Sequence, residues 1–552
     1  MGKNKLLLFC LCLFSVAASA QTTVSRKYLV LLKDKANSPY AVSRPQEFLS
    51  QRAIDRRTRQ GIAVVERDLP VNPSYVAQLK QAGATVRYTS RWMNAALVEA
   101  TDAVLTRVLS LSFVKGLEFN RSLAGAQPLT ADPNARMAVT STVQQRKMGT
   151  AGNALAYGLS RTQLTQIGID KMHAQGYRGE GMLIALLDAG FRNANRVPFL
   201  TKLFSDNRVV ATKDFVENEL NVYDDDAHGL NVLSILAATS DSLLYGAAFN
   251  ASYVLIETED VRYETQIEEA NWLLGAEFAD STGADVLSSS LGYTQFDDYS
   301  TSYTYAQLNG KTALSTRAAQ IASETGMVIV VSAGNEGNDP WRYISAPSDA
   351  AGVLAIGAVD AYGVRAAFSS FGPSADGRVK PDVAAFGLGT IIGLPTGVIG
   401  AGSGTSYSGP LVAGLVAGFW QANPTLKATD VVRLIRESGS RYTTPDASLG
   451  YGIPNFSRAT LLALPVDRFT IAPNPVGSDG TITILWPNPA KNATIDLTLT
   501  DAAGRAVWRS QAKPDSRMTL TLPQQVMGLP TGIYYLSLLD GDQKQTLRLL
   551  KP

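Results

Sequence analysis

Between Met182 and Asp360 five stretches of the chain are almost continuously apolar: MLIALLDAG, ASYVLIETED, ADVLSSSLGY, GMVIVVSAGNEG and VLAIGAVD. A strand with one wet face alternates apolar and polar side chains, so these stretches have no wet face. They read as parallel strands covered by helices on both sides, with segments of helical spacing between them. The expectation is a doubly wound α/β domain with a mostly parallel sheet, from about Leu159 to Leu462. Ligands of such sheets bind beyond the carboxyl ends of the strands. Residues that close the apolar stretches, Asp188 among them, are therefore the first candidates for a site.

At 552 residues the chain is too long for one ordinary domain, and its grammar changes on both sides of this region. From Arg26 to about Asn120, KYLVLLKDK and ATVRYTSRWMNAALVEA alternate like strands. PQEFLSQRAIDRRTRQG, NPSYVAQLKQAG and DAVLTRVLSL have helical spacing, which makes this part a small α+β unit. From Gly125 to about Gly158, Ala, Gly, Thr, Asn and Gln follow one another without periodicity, as in an exposed, cleavable linker. From Asp467 to Pro552, short Thr-, Ile- and Leu-rich alternations separated by turn signals predict a small β-sandwich.

The first residues, MGKNKLLLFCLCLFSVAASAQ, place Lys3 and Lys5 before a short apolar core and the small residues Ala18, Ser19 and Ala20. This is the pattern of a secretory signal, expected to be cut before Gln21. The apolar core is shorter than the roughly 20 residues that cross a bilayer, and no later stretch qualifies as a membrane span. Cys10 and Cys12 are the only cysteines and fall inside the signal, so no disulfide or thiol chemistry is expected of the mature chain. A net charge of +2 gives no support for nucleic-acid or acidic-lipid partners.

The small-residue stretch GAGSGTSYSGPLVAGLVAGFW, Gly400 to Trp420, leads from a loop into an apolar helix whose first turn would tolerate Pro410. Ser403, Thr405, Ser406 or Ser408 could simply cap that helix. The other reading makes one of them a nucleophile, which needs partners. Only two histidines are available. His173, before a Gly-rich turn, reads as a surface or last-turn helix residue; His228 stands where an acidic loop gives way to an apolar helix. Asp188 closes a buried strand. Taken together, Asp188, His228 and a serine near 406 follow the chain order Asp, His, Ser, one of three unrelated orders in which a catalytic triad occurs.

With these residues in place the chain resembles the subtilases. GTSYSGPLVAG resembles their nucleophile motif and selects Ser406 over Ser403 and Ser408. DAHGLNVLSILAA resembles the histidine motif, with Asn231 where a second histidine is common, and LLDAG the aspartate motif, with Ala189 in place of Ser or Thr. VVSAGNEG carries the pattern that supplies an oxyanion-hole amide, here Asn335. The resemblance implies a serine endopeptidase in which Ser406 attacks, His228 moves the proton and Asp188 orients the imidazole. It also implies a peptide groove bounded by Ser290, Leu291 and Gly292 on one side and Ser332, Ala333 and Gly334 on the other, both pairing with substrate backbone.

The flanking units gain meaning from the same resemblance. The α+β unit resembles a subtilase propeptide, a folding aid and inhibitor. IAPNPVGSDG, LPTGIYYLSLLDGD and the end QTLRLLKP resemble the C-terminal sorting domain of type IX secretion in Bacteroidetes. The expected division is 1–20 signal, 21–150 propeptide and linker, 151–462 catalytic domain and 463–552 sorting domain. Expected partners are polypeptide substrates, the chain's own propeptide and the secretion machinery, with export through the periplasm to the cell surface or medium. No cofactor is expected; Asp224 to Asp226 could supply structural calcium ligands or form a solvated acidic loop. The alternatives are a non-catalytic surface-binding protein or adhesin on the same fold, and an esterase using the same groups.

Overall fold

The computed structural model describes residues 24–124, 155–464, 470–472, 474–477, 480–486, 494–513, 517–541 and 543–552. The expected signal and most of the linker lie outside them. Seven strands, all parallel, make the central sheet. Their spatial order is Val383–Phe386, Val353–Val359, Val328–Ser332, Val286–Ser289, Leu183–Asp188, Ser252–Glu257 and Val209–Asp214. The five apolar stretches are the five inner strands. The two edges carry weaker signals, because Val209–Asp214 is mostly half-exposed and Val383–Phe386 has only four residues.

Successive side chains of each inner strand enter different cores, which is why these strands have no polar face. Ile184 and Leu186 join the core beneath the helices His228–Ala237 and Thr405–Ala422; Leu183, Ala185 and Leu187 join the core beneath Ile267–Thr282 and Leu314–Glu324. From Leu183–Asp188 the chain goes out to the Val209–Asp214 edge, returns through Ser252–Glu257, and crosses to Val286–Ser289 on the other side. The direction of travel thus reverses at Leu183–Asp188, leaving a crevice at its carboxyl end.

The N-terminal unit is an antiparallel sheet in the order Thr85–Ser90, Ala95–Ala100, Arg26–Leu32 and Val114–Leu117. Strand alternation gives it two apolar faces. Tyr28, Val30 and Leu32 face the unit's own core, whereas Leu29, Trp92, Ala95 and Leu97 join the core beneath the two helices of the central domain.

The helix Gln51–Gln60, capped by Ser50 and ended by Gly61 at φ +71°, lies against the amino ends of the central strands. Arg52 donates to Gly181 O and pairs with Asp285, and Gln60 donates to Gly326 O. Arg56, Arg57 and Arg91 all pair with the fully buried Asp280. Burial opposes the charge of Asp280, but these guanidiniums hold its carboxyl below the ordinary range. The C-terminal unit has a three-stranded and a four-stranded antiparallel sheet whose inner faces share one core, with Ile484 and Trp486 from one meeting Leu497, Leu536 and Leu549 from the other. This is the expected sandwich.

Removing one partner of a buried ion cluster strands the rest. Asp280→Ala is expected to weaken the hold of residues 24–124 on the central domain by about 3–5 kcal/mol, measured by calorimetry with the two parts as separate chains. A change in Kd below about tenfold would show that the apolar face alone carries the docking.

Candidate active site

Asp188 is the last residue of its strand and is fully buried at the crevice. Its Oδ1 accepts from Ala189 N–H at 2.9 Å and lies 2.6 Å from His228 Nδ1. A carboxylate only accepts, so Nδ1 carries the proton and Nε2 is left as the basic nitrogen. Among the described residues Asp188 Oδ2 has no partner; the neighbouring side chain is the methyl of Ala189. His228 opens its helix, and Asp226 Oδ1 accepts its backbone N–H at 2.8 Å. Burial pushes the imidazole pKa down, yet the charge and hydrogen bond of Asp188, with Asp226 adding, hold it above 6.5.

The serine helix runs from Thr405 to Ala422 and is buried from Thr405 to Trp420. It starts earlier than the sequence suggests, so Pro410 lies inside it rather than in its first turn. Proline has no N–H for the carbonyl four residues back, which frees Ser406 O, and Ser290 Oγ donates to it at 2.9 Å. The N-cap is Gly404, with no side-chain cap, so none of the hydroxyls plays the capping role. Ser403 Oγ accepts from Gly389 N–H and Ser408 Oγ donates to Thr405 O. Ser406 Oγ donates to Ser290 O at a long 3.4 Å. Its backbone N–H belongs to the helix's first turn, where donors lack intrahelical acceptors. The histidine and serine helices pack together, and the His228 and Tyr407 rings are 6.0 Å apart.

Asn335 follows the strand that ends at Ser332. Its Oδ1 accepts from Thr405 N–H at 2.8 Å and from Thr405 Oγ1 at 3.0 Å. The backbone N–H can only donate, which fixes the amide with Oδ1 towards Thr405 and Nδ2 facing away, on an exposed side chain. Thr405, one of the four candidate hydroxyl residues, thus holds the Asn335 side chain in place.

Ser290 is buried, Leu291 half-buried and Gly292 exposed, and among the described residues no backbone partner engages Leu291 or Gly292. Ser332 and Ala333 are buried, and Ala333 already donates to Ile356 O and accepts from Ser345 N–H. Gly334, at φ +111°, accepts from Ser370 N–H. The Ser332–Gly334 segment is thus tied into the domain, while the backbone groups of Leu291 and Gly292 are unengaged among the described residues.

His173 lies in the last turn of the helix Ile169–Ala174, one of its two sequence readings, but not on the surface. It is fully buried, with Nε2 donating to Ala247 O and Nδ1 accepting from Tyr157 O–H, each at 3.0 Å. Burial pushes its pKa down to about 4. Asp224 to Asp226 do not converge as cation ligands. Among the described residues the carboxyls that do come within 4.8 Å of one another are Glu259, Glu264 and Glu268.

Residues 27–136 match the peptidase S8 propeptide domain of Bacteroidota, residues 179–452 the subtilase family, and residues 470–551 the secretion system C-terminal sorting domain. Subtilisin NAT of Bacillus subtilis subsp. natto is 31% identical over 310 residues, which covers 55% of this chain and 71% of that protein. Subtilisin E of Bacillus subtilis (strain 168) matches to the same extent. A thermostable alkaline protease of Halalkalibacterium halodurans is 25% identical over 333 residues, 60% of this chain and 79% of that one.

With two histidines in the chain, their titrations separate cleanly in proton NMR. The Asp188 charge stabilises protonated His228, so its proton should leave only above pH 6.5. His173, whose burial outweighs the charges of Asp170 and Glu180, should stay neutral down to about pH 4. Asp188→Asn should bring the His228 titration below 6.5. Two histidines titrating together near 6.5 in the unsubstituted chain would contradict the described electrostatics.

Proposed function

The chain belongs to the subtilase family, and we propose that Asp188, His228 and Ser406 are its catalytic triad and that Asn335 Nδ2 and the Ser406 N–H form its oxyanion hole. Family and flanking domains make it a serine endopeptidase that is exported as a zymogen, with a propeptide and a type IX C-terminal sorting domain. Its place is extracellular or at the cell surface. The observation that carries the residue assignment is the buried 2.6 Å Asp188–His228 pair beside a helix whose first turn holds Ser406.

Nε2 of His228 takes the Ser406 hydroxyl proton as Oγ bonds to the substrate carbonyl carbon, and the carbonyl oxygen takes up the negative charge. Asn335 Nδ2 and the Ser406 N–H donate to that oxygen. Asp188 balances the imidazolium, which then protonates the leaving amine as the C–N bond breaks. A water molecule repeats the sequence on the acyl-enzyme, releasing the acid and restoring Ser406. A rotation of Oγ from Ser290 O towards Nε2 begins the reaction; catalytic hydrogen bonds often tighten only in the substrate complex.

The N-terminal unit acts as the inhibitor and the chain frees itself of it by its own hydrolysis. Supporting this, Arg121 of the N-terminal unit donates to Gln266 Oε1 at 2.9 Å, and Ala124 lines a cleft with Phe215, Asp260 and Thr265 at the carboxyl-end side of the sheet. The adhesin alternative would need no such set of groups.

Expressed from Gln21 to Pro552, the unsubstituted chain should lose its N-terminal unit with time, and Ser406→Ala should remain full length. Asn335→Leu should lower kcat by about 10²–10³-fold with little change in KM, the usual cost of an oxyanion donor. Processing that survives Ser406→Ala would assign the cut to another protease or another nucleophile. An unchanged kcat in Asn335→Leu would remove Asn335 from the oxyanion hole.

A further inference from the structure

A cleft of about 360 Å³ opens beside the Asp188–His228 pair. It is lined entirely by the central domain, and six acidic residues line it: Glu217, Asp225, Asp226, Glu257, Glu259 and Asp260. Ala189, next to Asp188, forms part of its wall, and Asp226 is the residue that accepts the His228 N–H. Glu257 is the Cα partner of Asp188 across the adjacent strands. The cleft therefore begins one residue from the reacting groups.

Its charges are not balanced. Arg262 is committed to Asp260, at 2.7 and 2.8 Å, and stands 3.6 Å from Glu217. Arg192 lines the cleft as an exposed side chain. Among the described residues no cationic nitrogen lies within ion-pair reach of Asp225, Glu257 or Glu259. Glu257 stands out further: it is 3% exposed, and its Oε2 has no hydrogen-bond partner. Burial, with Asp225, Asp214, Asp224 and Asp188 adding, pushes its carboxyl up to about 10. A buried carboxyl without a partner costs free energy unless something else meets it there.

We propose that this cleft is a subsite for a lysine or arginine side chain of the substrate polypeptide, adjacent to the scissile bond, with Glu257 at its base and Asp225 at its rim. The inference rests on the triad assignment above. A long cationic side chain fits the geometry better than a bare metal ion does. The one carboxyl trio among the described residues that converges to within 4.8 Å, Glu259, Glu264 and Glu268, shares only Glu259 with the cleft and includes neither Glu257 nor Asp225. Glu257 closes one of the apolar stretches, the position where such sheets place their ligands, but no motif singles it out.

The test uses the processed enzyme, with active sites counted by a fluorophosphonate, and fluorogenic peptides of one sequence. Lysine or its uncharged counterpart norleucine is moved through the three positions on each side of the scissile bond. One position should favour lysine at least tenfold in kcat/KM. Glu257→Gln should cut that ratio to within threefold while leaving fluorophosphonate labelling and the norleucine peptide unchanged, and Asp225→Asn should reduce it partly. An enzyme that labels normally but shows no lysine preference, or keeps one in both variants, overturns the subsite and leaves the triad standing. Calcium that raises the melting temperature of the unsubstituted enzyme but not of Glu257→Gln, without a lysine preference, would make the cleft a metal site and also overturn it. Failure to label at all removes the triad assignment and this inference with it.

Discussion

A parallel sheet gathers the carboxyl ends of all its strands on one edge, and the chemistry described here depends on that constraint. Strand Leu183–Asp188 sits where the chain's direction of travel reverses, so no connection covers its end. Asp188 is thereby buried at the floor of a crevice whose walls come from remote parts of the sequence. His228 reaches it from the start of a helix, at 2.6 Å. Low polarizability around the pair strengthens their attraction, and the imidazole stays more basic than usual despite its burial. The serine helix and the Asn335 loop enter the same crevice and are joined by Thr405, whose N–H and hydroxyl both hold Asn335 Oδ1.

The opposite edge of the sheet is held differently. There the N-terminal unit inserts the helix Gln51–Gln60, and its arginines and Gln60 satisfy Asp285, Asp280 and the carbonyls of Gly181 and Gly326 just before the strands begin. Sheets of this kind form through non-local contacts and fold slowly. A unit that contacts the approaches to three central strands at once lowers the entropy cost of bringing them into register. Its apolar face meanwhile extends the core beneath two helices of the central domain. The unit that matches the propeptide domain therefore docks its helix Gln51–Gln60 at the amino ends of these strands.

How much of this was legible follows from what each residue needs locally. The inner strands were visible because burial on both faces leaves no polar alternation; the edges were not, since Val209–Asp214 is half wet and Val383–Phe386 is short. Asp188, His228, Asn335 and Ser406 are proposed from residue types in motifs, and the fold brings the elements that carry them to one crevice. The start of the serine helix was misplaced because its first-turn groups are satisfied by Ser290 and Asn335, both far away in the chain. The last-turn position of His173 is legible, but its burial is not, for the same reason: its partners Tyr157 and Ala247 lie outside its helix. Glu257 acquires its isolation from a neighbouring strand and an acidic loop, which no local pattern encodes.

The most direct measurement is the position of the covalent adduct that a fluorophosphonate leaves on the processed, exported protein, mapped by tandem mass spectrometry. A buried Asp–His pair activating the first turn of the serine helix requires a single adduct per chain, on Ser406, forming faster as the pH rises through the His228 titration. An adduct on Ser403 or Ser408, or labelling that persists in Ser406→Ala, would contradict the assignment of the nucleophile and the mechanism built on it.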